Sequence, residues 1–295
     1  MSRSIQRHVV PVRGGNLTVA EWPAASADDA PVILAIHGIT ASHMAWTLVA
    51  EALPQFRILA PDLRGRGRSN ALPGPYGMRQ HAEDCAAILE SFAIDRALVV
   101  GHSMGAFVAT VFASLQAKRV EALLLVDGGL PLALPPGMDK QTVITAALGA
   151  ALARLSMTFS SQAAYHDFWR AHPAMLGNWS PSVQAYVDYD LVDGHASTPV
   201  QAVGEDSNEL FGSAEYEQAL TYLPKLTHLL TAPRGLLDDP PGLYPAAAVA
   251  SWKSQFPALT VSEVPDINHY MIVMGPRGAE VVAAEVTRLH ALARR

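Results

Sequence analysis

The run Gly101-His102-Ser103-Met104-Gly105 constrains this chain more than any other short segment. The apolar stretch Arg96-Ala97-Leu98-Val99-Val100 precedes it, and the small-residue helical pattern Ala106-Phe107-Val108-Ala109-Thr110 follows. Gly-x-Ser-x-Gly between a strand and a helix predicts a sharp, strained turn. The glycines are needed because a Cβ beside the serine would not fit. Such a turn exposes Ser103 Oγ at the top of a sheet, with a helix N-terminus beneath it. A serine there is a candidate nucleophile and requires two partners further along the chain.

Strand and helix alternate on both sides of this motif. Residues 8–23 read as two strands around the hairpin signal Gly14-Gly15-Asn16, and residues 24–30 form a small acidic connector. Val32-Ile33-Leu34-Ala35-Ile36 is a continuous apolar run, as expected for a strand buried on both faces, and ends at His37-Gly38. A helical stretch, 44–53, leads to the strand Arg57-Ile58-Leu59-Ala60, which ends at Pro61-Asp62. Residues 78–92 have helical spacing, and Ala122-Leu123-Leu124-Leu125-Val126 is the strand after the Ser103 helix, ending at Asp127-Gly128-Gly129. The alternation then stops. Residues 130–225 show helical patterns and Pro/Gly breaks without an apolar strand run. It resumes with His228-Leu229-Leu230-Thr231-Ala232, a helix at 246–256, an alternating strand at 259–264 and a final amphipathic helix at 277–293. This order predicts a mostly parallel α/β sheet with helices on both faces. The middle segment is then a helical cap over the carboxyl ends of the strands, where ligands bind in open α/β sheets.

Half of the 295 residues are hydrophobic and 16% are charged, which is ample for a core without disulfides. A net charge of −6 without Lys/Arg clusters argues against a nucleic-acid or anionic-membrane partner. The single cysteine, Cys85, excludes an internal disulfide and a cysteine-rich metal site, and is expected to be a small buried side chain. No His/Asp/Glu cluster supports a metal, and no cofactor is expected. Residues 1–7 carry positive charge with no apolar core after them, so no secretory signal is expected. No apolar run reaches the ~18 residues of a membrane span. The longest candidate, 142–155, is interrupted by Gly149 and Arg154. The expected location is the cytoplasm; oligomeric state is open.

The ordered motifs resemble the α/β-hydrolase superfamily, in its capped esterase-like branch, over nearly the whole chain. His37-Gly38-Ile39-Thr40 follows the third strand and Asp62-Leu63-Arg64-Gly65-Arg66-Gly67-Arg68-Ser69 the fourth. Gly101 to Gly105 follows the fifth, Gly235-Leu236-Leu237-Asp238 the seventh and Asn268-His269-Tyr270 the eighth. The resemblance implies an eight-stranded sheet, with a core formed by residues 1–129 and 226–295 and a cap at 130–225. It also implies the chain order nucleophile, acid, histidine.

A serine hydroxyl is a weak nucleophile at neutral pH and needs an adjacent base. Neutral histidine suits that task, and a carboxylate orients the ring and stabilises its charged form. His269, in a loop after a strand, is the expected base, since His290 lies inside the final helix. Asp238, three residues after Gly235, is the expected acid by the resemblance. Asp127 is the alternative, at a strand end where some members of the superfamily carry their acid. Asp239 is a neighbour that could compete, and Asp266 is expected to cap its loop. The resemblance places the two oxyanion donors at the backbone amides of Met104 and Ile39, and gives His37 the task of holding the Ile39 loop. Gly65-Arg66-Gly67-Arg68-Ser69 lacks the full Gly-x-Gly-x-x-Gly spacing of a phosphate loop, so Arg64, Arg66 and Arg68 are expected at the surface or bracing a loop.

Cap aromatics are expected to pack, with some lining a pocket. Trp46, His102, Phe168, Trp169 and Trp179 are the chosen pocket residues, and His166, His172 and His195 are ordinary cap residues. The expected reaction is hydrolysis of an ester or lactone of a mainly hydrophobic small molecule through an acyl-enzyme. The alternatives are a carbon–carbon bond hydrolase, a lyase or a perhydrolase on the same residues, or a ligand-binding protein without turnover. Epoxide hydrolase and dehalogenase chemistry are disfavoured, because the resemblance would require Asp at position 103.

Overall fold

A computed structural model of the chain describes residues 3–26, 29–134 and 137–295. Parts of the amino-terminal stretch and of the acidic connector, at residues 1–2 and 27–28, lie outside the described residues, as do 135 and 136 of the proposed cap. In chain order the elements begin with β1 (Gln6–Val12), β2 (Gly15–Trp22), β3 (Val32–Ile36), α1 (Thr47–Ala52), β4 (Arg57–Pro61), α2 (Met78–Ser91), β5 (Ala97–His102), α3 (Met104–Leu115) and β6 (Val120–Val126). There follow α4 (Lys140–Leu155), α5 (Gln162–Arg170), α6 (Pro181–Asp190), β7 (Leu191–Val192), β8 (His195–Ala196), α7 (Val200–Ser207) and α8 (Ala214–Leu220). The chain closes with β9 (Thr227–Thr231), α9 (Ala246–Gln255), β10 (Thr260–Glu263), α10 (Met271–Met274) and α11 (Pro276–Ala293).

Eight strands form one sheet in the order β1-β2-β4-β3-β5-β6-β9-β10. β1 and β2 are an antiparallel hairpin, β2 pairs antiparallel with β4, and every later pairing is parallel. The apolar runs follow from burial on both faces. Leu34, Ile36, Val99, Leu123 and Leu125 pack into one core cluster with Cys85, Ile88, Phe107 and Val108 from α2 and α3. Their neighbours Ile33, Ala35, Val100, Leu124 and Val126 pack into the other, with Val49 of α1 and Val282 and Val286 of α11. Successive strand side chains point to opposite faces, so a strand sandwiched by helices must be apolar at every position.

The segment between β6 and β9 is mainly helical. It also contains a two-stranded ribbon, β7 with β8, which the sequence reading did not anticipate. Asp193 and Gly194, both at positive φ, make its turn. A strand of two residues carries no periodic signal, but Asp-Gly between short apolar flanks is a hairpin signature. The last helix of this segment, α8, packs on α3, with Phe107 and Tyr216 ring centroids 5.2 Å apart, and returns the chain to the sheet.

Candidate active site

Ser103 stands between β5 and α3 at φ 54° and ψ −124°. A residue other than glycine in that region costs on the order of 1–3 kcal/mol and persists only where its surroundings over-determine it. Here the Ser103 amide donates to Val126 O at 2.9 Å, and the Ala106 amide donates to Ser103 O at 3.0 Å. Two glycines let the backbones approach closely enough for this. A Cβ on Gly105 would lie 2.1 Å from Ile36 O, and one on Gly128 would lie 2.1 Å from Ser103 O. The elbow is thus clamped between the ends of β3 and β6.

His269 lies in the loop before α10 and is buried. Its Nδ1 is 2.6 Å from Asp127 Oδ2. The other Asp127 oxygen, Oδ1, accepts the Ala232 amide at 3.1 Å, so both carboxylate oxygens are held. The His102 ring lies 4.7 Å from the His269 ring and donates from Nε2 to His269 O at 2.9 Å. Burial, and then the neighbouring His269, push His102 well below its usual pKa, so it is a neutral ring that steadies the loop. With Nδ1 taken by Asp127, the Nε2 of His269 is the nitrogen left for a reaction partner. Ser103 and His269 line one cavity.

Asp238, the preferred acid, is engaged by other partners. Its Oδ1 accepts from Arg234 Nε at 2.8 Å and from Asn268 Nδ2 at 3.0 Å. The carboxylate beside His269 is that of Asp127. The physical reason is register. Asp127 directly ends β6, the strand next to β5, where His102 pairs with Val126. Asp238 lies several residues beyond β9, in a turn closed by the Asp238 amide to Gly235 O. Asp238 acts on the neighbouring residue instead: it grips Asn268, whose Oδ1 accepts the Tyr270 and Met271 amides at 3.1 and 2.9 Å and so caps α10. Asp266 pairs with Arg234 at 2.6 Å rather than capping its loop. The sequence signal for Asp127 was Gly128-Gly129, which lets the strand end press on the Ser103 turn.

Ile39 and Met104 both line the cavity beside Ser103. Among the described residues neither backbone amide is engaged by a backbone carbonyl. His37 Nδ1 donates to Gly38 O at 2.8 Å, and its Nε2 accepts the Leu63 amide at 3.0 Å. Burial pushes His37 down to about 3, which keeps the ring neutral for those two bonds.

Two connected cavities flank Ser103, sharing Ile39, Leu148 and Leu236. The first, about 40 Å³, is mainly apolar, with Leu132, Val143, Ile144, Leu210, Phe211 and Leu243. The second, about 30 Å³, is lined by His102, His269, Tyr186, Tyr270 and Met274. Of the five chosen pocket residues only His102 is in these walls. Trp46 is buried in the core beside Ile33, Ala35 and Val100. Trp169 sits one layer behind the wall, its ring 6.1 Å from Tyr186 and 6.3 Å from Tyr270. Phe168 packs against Phe159, and Trp179 lies against His166 and Arg170. Aromatic content marked the right layer but not the lining, because helix orientation decides which side faces the void. Arg64 and Arg66 brace loops, one of the two expected settings, from fully buried positions: Arg64 donates to Pro73 O and Arg13 O, and Arg66 to Ile39 O. Arg64 pairs with Asp84 at 2.9 Å and Arg66 with Asp206 at 2.6 Å. Among the described residues there is no group of three potential metal ligands and no helix long and apolar enough to cross a membrane.

The sheet order and the strand-end arrangement are those of the α/β-hydrolase fold. A family model described as alpha/beta hydrolase fold matches residues 31–174. The chain is 37% identical over 100 residues to Lipase LipV of Mycobacterium tuberculosis (strain H37Rv), covering 34% of this chain and 38% of the lipase. It is 33% identical over 117 residues to a putative 2-succinyl-6-hydroxy-2,4-cyclohexadiene-1-carboxylate synthase of Bacillus subtilis (strain 168), covering 37% of this chain and 43% of that protein. The matches therefore span less than half the length of these curated relatives. A solved E-2-(acetamidomethylene)succinate hydrolase superposes with a TM-score of 0.77 at 22% identity, covering 98% of this chain and 100% of the other. At that identity the likeness shows the fold.

Proposed function

We propose that this chain is a serine hydrolase that cleaves a carboxylic ester or lactone of a small, mainly hydrophobic molecule. The observation that carries the reading is one constellation: Ser103 on a strained elbow, sharing a cavity with His269, whose Nδ1 is 2.6 Å from buried Asp127. Ser103 Oγ attacks the carbonyl carbon as His269 Nε2 takes its proton. Asp127 holds the Nδ1–H tautomer and stabilises the imidazolium. The oxyanion settles on the amides of Ile39 and Met104. The ester C–O bond then breaks, and the leaving alkoxide takes the proton from His269. Water, deprotonated by the same ring, attacks the acyl-enzyme and frees Ser103.

Since His269 must reach the leaving oxygen, the cavity it lines suits the alcohol side, and the mainly apolar cavity suits the acyl side. Both are far below the ~150 Å³ that holds a benzene ring, so an aryl ester enters only as the cap side gives way. Residues 130–225 serve in this reading as the cap, with α8 as its return to the sheet. The likeness to the synthase keeps carbon–carbon bond chemistry as the second reading. The test is turnover of short p-nitrophenyl esters by the purified protein and by Ser103→Ala. The reading expects a loss of at least about 10³-fold in kcat, with a covalent phosphonate adduct on Ser103 of the parent only. Unchanged hydrolysis in Ser103→Ala sinks it.

A further inference from the structure

Arg66 is a fully buried cation outside the constellation above, yet it touches both residues assigned as oxyanion donors. Its Nε donates to Ile39 O at 2.9 Å, and its Nη1 donates to Arg64 O at 2.9 Å. Its Nη2 lies 2.6 Å from Asp206 Oδ2 and 3.9 Å from Met104 Sδ. Asp206 belongs to α7, in the segment proposed as the cap. It is itself anchored to the core, since its Oδ1 accepts the Gly77 amide at 2.6 Å and its Oδ2 lies 3.0 Å from His81 Nε2.

The Ile39 amide belongs to a planar peptide whose carbonyl, Gly38 O, accepts from His37 Nδ1 at 2.8 Å and from the Ala41 amide at 3.2 Å. Fixing that carbonyl aims the Ile39 N–H in the opposite direction. Arg66 fixes the carbonyl of the next peptide. Ile39 is therefore gripped on both sides, by His37 before it and by Arg66 after it.

We infer that Arg66, held in place by Asp206 from α7, is a positioning residue for the oxyanion hole, so that the docked cap helix and the donor geometry are set by one side chain; this rests on the hydrolase reading above. The planar guanidinium presents donors in a fixed fork, toward the Asp206 carboxylate and, besides a long contact to Ala202 O at 3.5 Å, the carbonyls of Ile39 and Arg64. A lysine ammonium, as a point charge on a flexible stem, cannot hold all three. An uncompensated buried charge is costly, so Arg66 needs Asp206 to remain in its place.

The test compares Arg66→Lys, Asp206→Asn and Tyr189→Phe on a short p-nitrophenyl ester. Active sites are counted by phosphonate titration, and phenylboronic acid serves as the tetrahedral probe. Tyr189 donates to Asp62 Oδ2 at 2.6 Å and so joins α6 to the same loop without touching Ile39 or Met104. Arg66→Lys is expected to lower kcat per titrated site by about 10²-fold and weaken the boronate Ki by a similar factor, while KM stays within about threefold. Asp206→Asn is expected to show the same split at about 10-fold, and it decides the matter if Arg66→Lys does not fold. Tyr189→Phe should leave all three constants within about threefold. A merely structural brace would change the titrated fraction but not Ki. If Ser103→Ala is inactive while Arg66→Lys keeps the parental kcat and Ki, the positioning role is overturned and the hydrolase reading stands. If Ser103→Ala retains hydrolysis, the hydrolase reading fails first.

Discussion

Asp127 and Asp238 show how two aspartates of similar setting acquire different tasks. Both sit at positive φ, at 45° and 65°, in loops that follow buried strands. Only Asp127 is fully buried with both oxygens accepting N–H groups. Asp127→Asn keeps the shape but turns an amide toward His269 and favours the wrong ring tautomer. A fall of about 10⁴-fold in kcat is expected by analogy with the equivalent change in a serine protease triad. Asp238→Asn weakens the hold on Asn268 and should cost less than about 10-fold. Steady-state kinetics on the two purified variants decide between them, and a larger loss in Asp238→Asn would return the acid to the loop after β9. That Ser103 and His269 come together on one cavity was legible, because each stands in a motif with its own local context. Which aspartate lies beside His269 stays open in the sequence between Asp238, preferred, and Asp127, the alternative, because spacing along the chain cannot say which strand end lies next to β5. Arg64 and Arg66 brace loops, one of the two settings expected of them, but their burial was not legible: charge suggests solvent, and only the fold supplies the buried carboxylates of Asp84 and Asp206 that make it tolerable.

Among the elements, α4 lines the apolar cavity beside Ser103 with Val143, Ile144 and Leu148, the cavity proposed for the acyl group. Asp139 caps it through Oδ1, which accepts the Thr142 amide at 2.8 Å, and Ile144 and Leu148, four residues apart, turn one face inward. Leu148 borders both cavities. Leu148→Ala removes the side chain that closes them and should move the preferred substrate toward longer acyl chains. Each added methylene that finds apolar cover is worth about 0.8 kcal/mol, or roughly fourfold in kcat/KM. A series of p-nitrophenyl esters from acetate to octanoate measures this, and an unchanged optimum would mean that α4 does not set the limit. The sequence showed 142–155 as an Ala-rich apolar run in a helical segment but not the inward face of α4, since such a run is apolar nearly all round. The buried group Arg154, Tyr165 and Asp190, which ties the end of α4 to α5 and α6, was equally invisible, because its members lie far apart in the chain.

For the whole molecule, stability should fall on the acid side in two stages. His37 titrates near 3 in the folded chain against an ordinary 6.5, and His102 is also held well below that value. The unfolded chain takes up those protons first, so the contribution is complete above about pH 6.5 and is lost as pH falls toward 3. Burial opposes ionisation of Asp62, but His43, the Arg68 amide and the Tyr189 hydroxyl outweigh it and hold the carboxyl at about 2 against an ordinary 3.8. That contribution, roughly 2 kcal/mol, is present above about pH 4 and disappears between 4 and 2. Thermal midpoints should hold steady from pH 8 to 7, decline below 6.5 and drop more steeply below 4, and a midpoint that rose between pH 6.5 and 4 would refute this. The strand order also bears on assembly. Ser103 and Asp127 end consecutive strands, whereas His269 comes 142 residues after Asp127. Pairing β5 with β6 across one helical crossover brings Ser103 and Asp127 together, whereas His269 joins them only when the final segment docks. A refolding chain should therefore regain strand signal before it regains turnover, and the lag between the two would time the docking of its last loop.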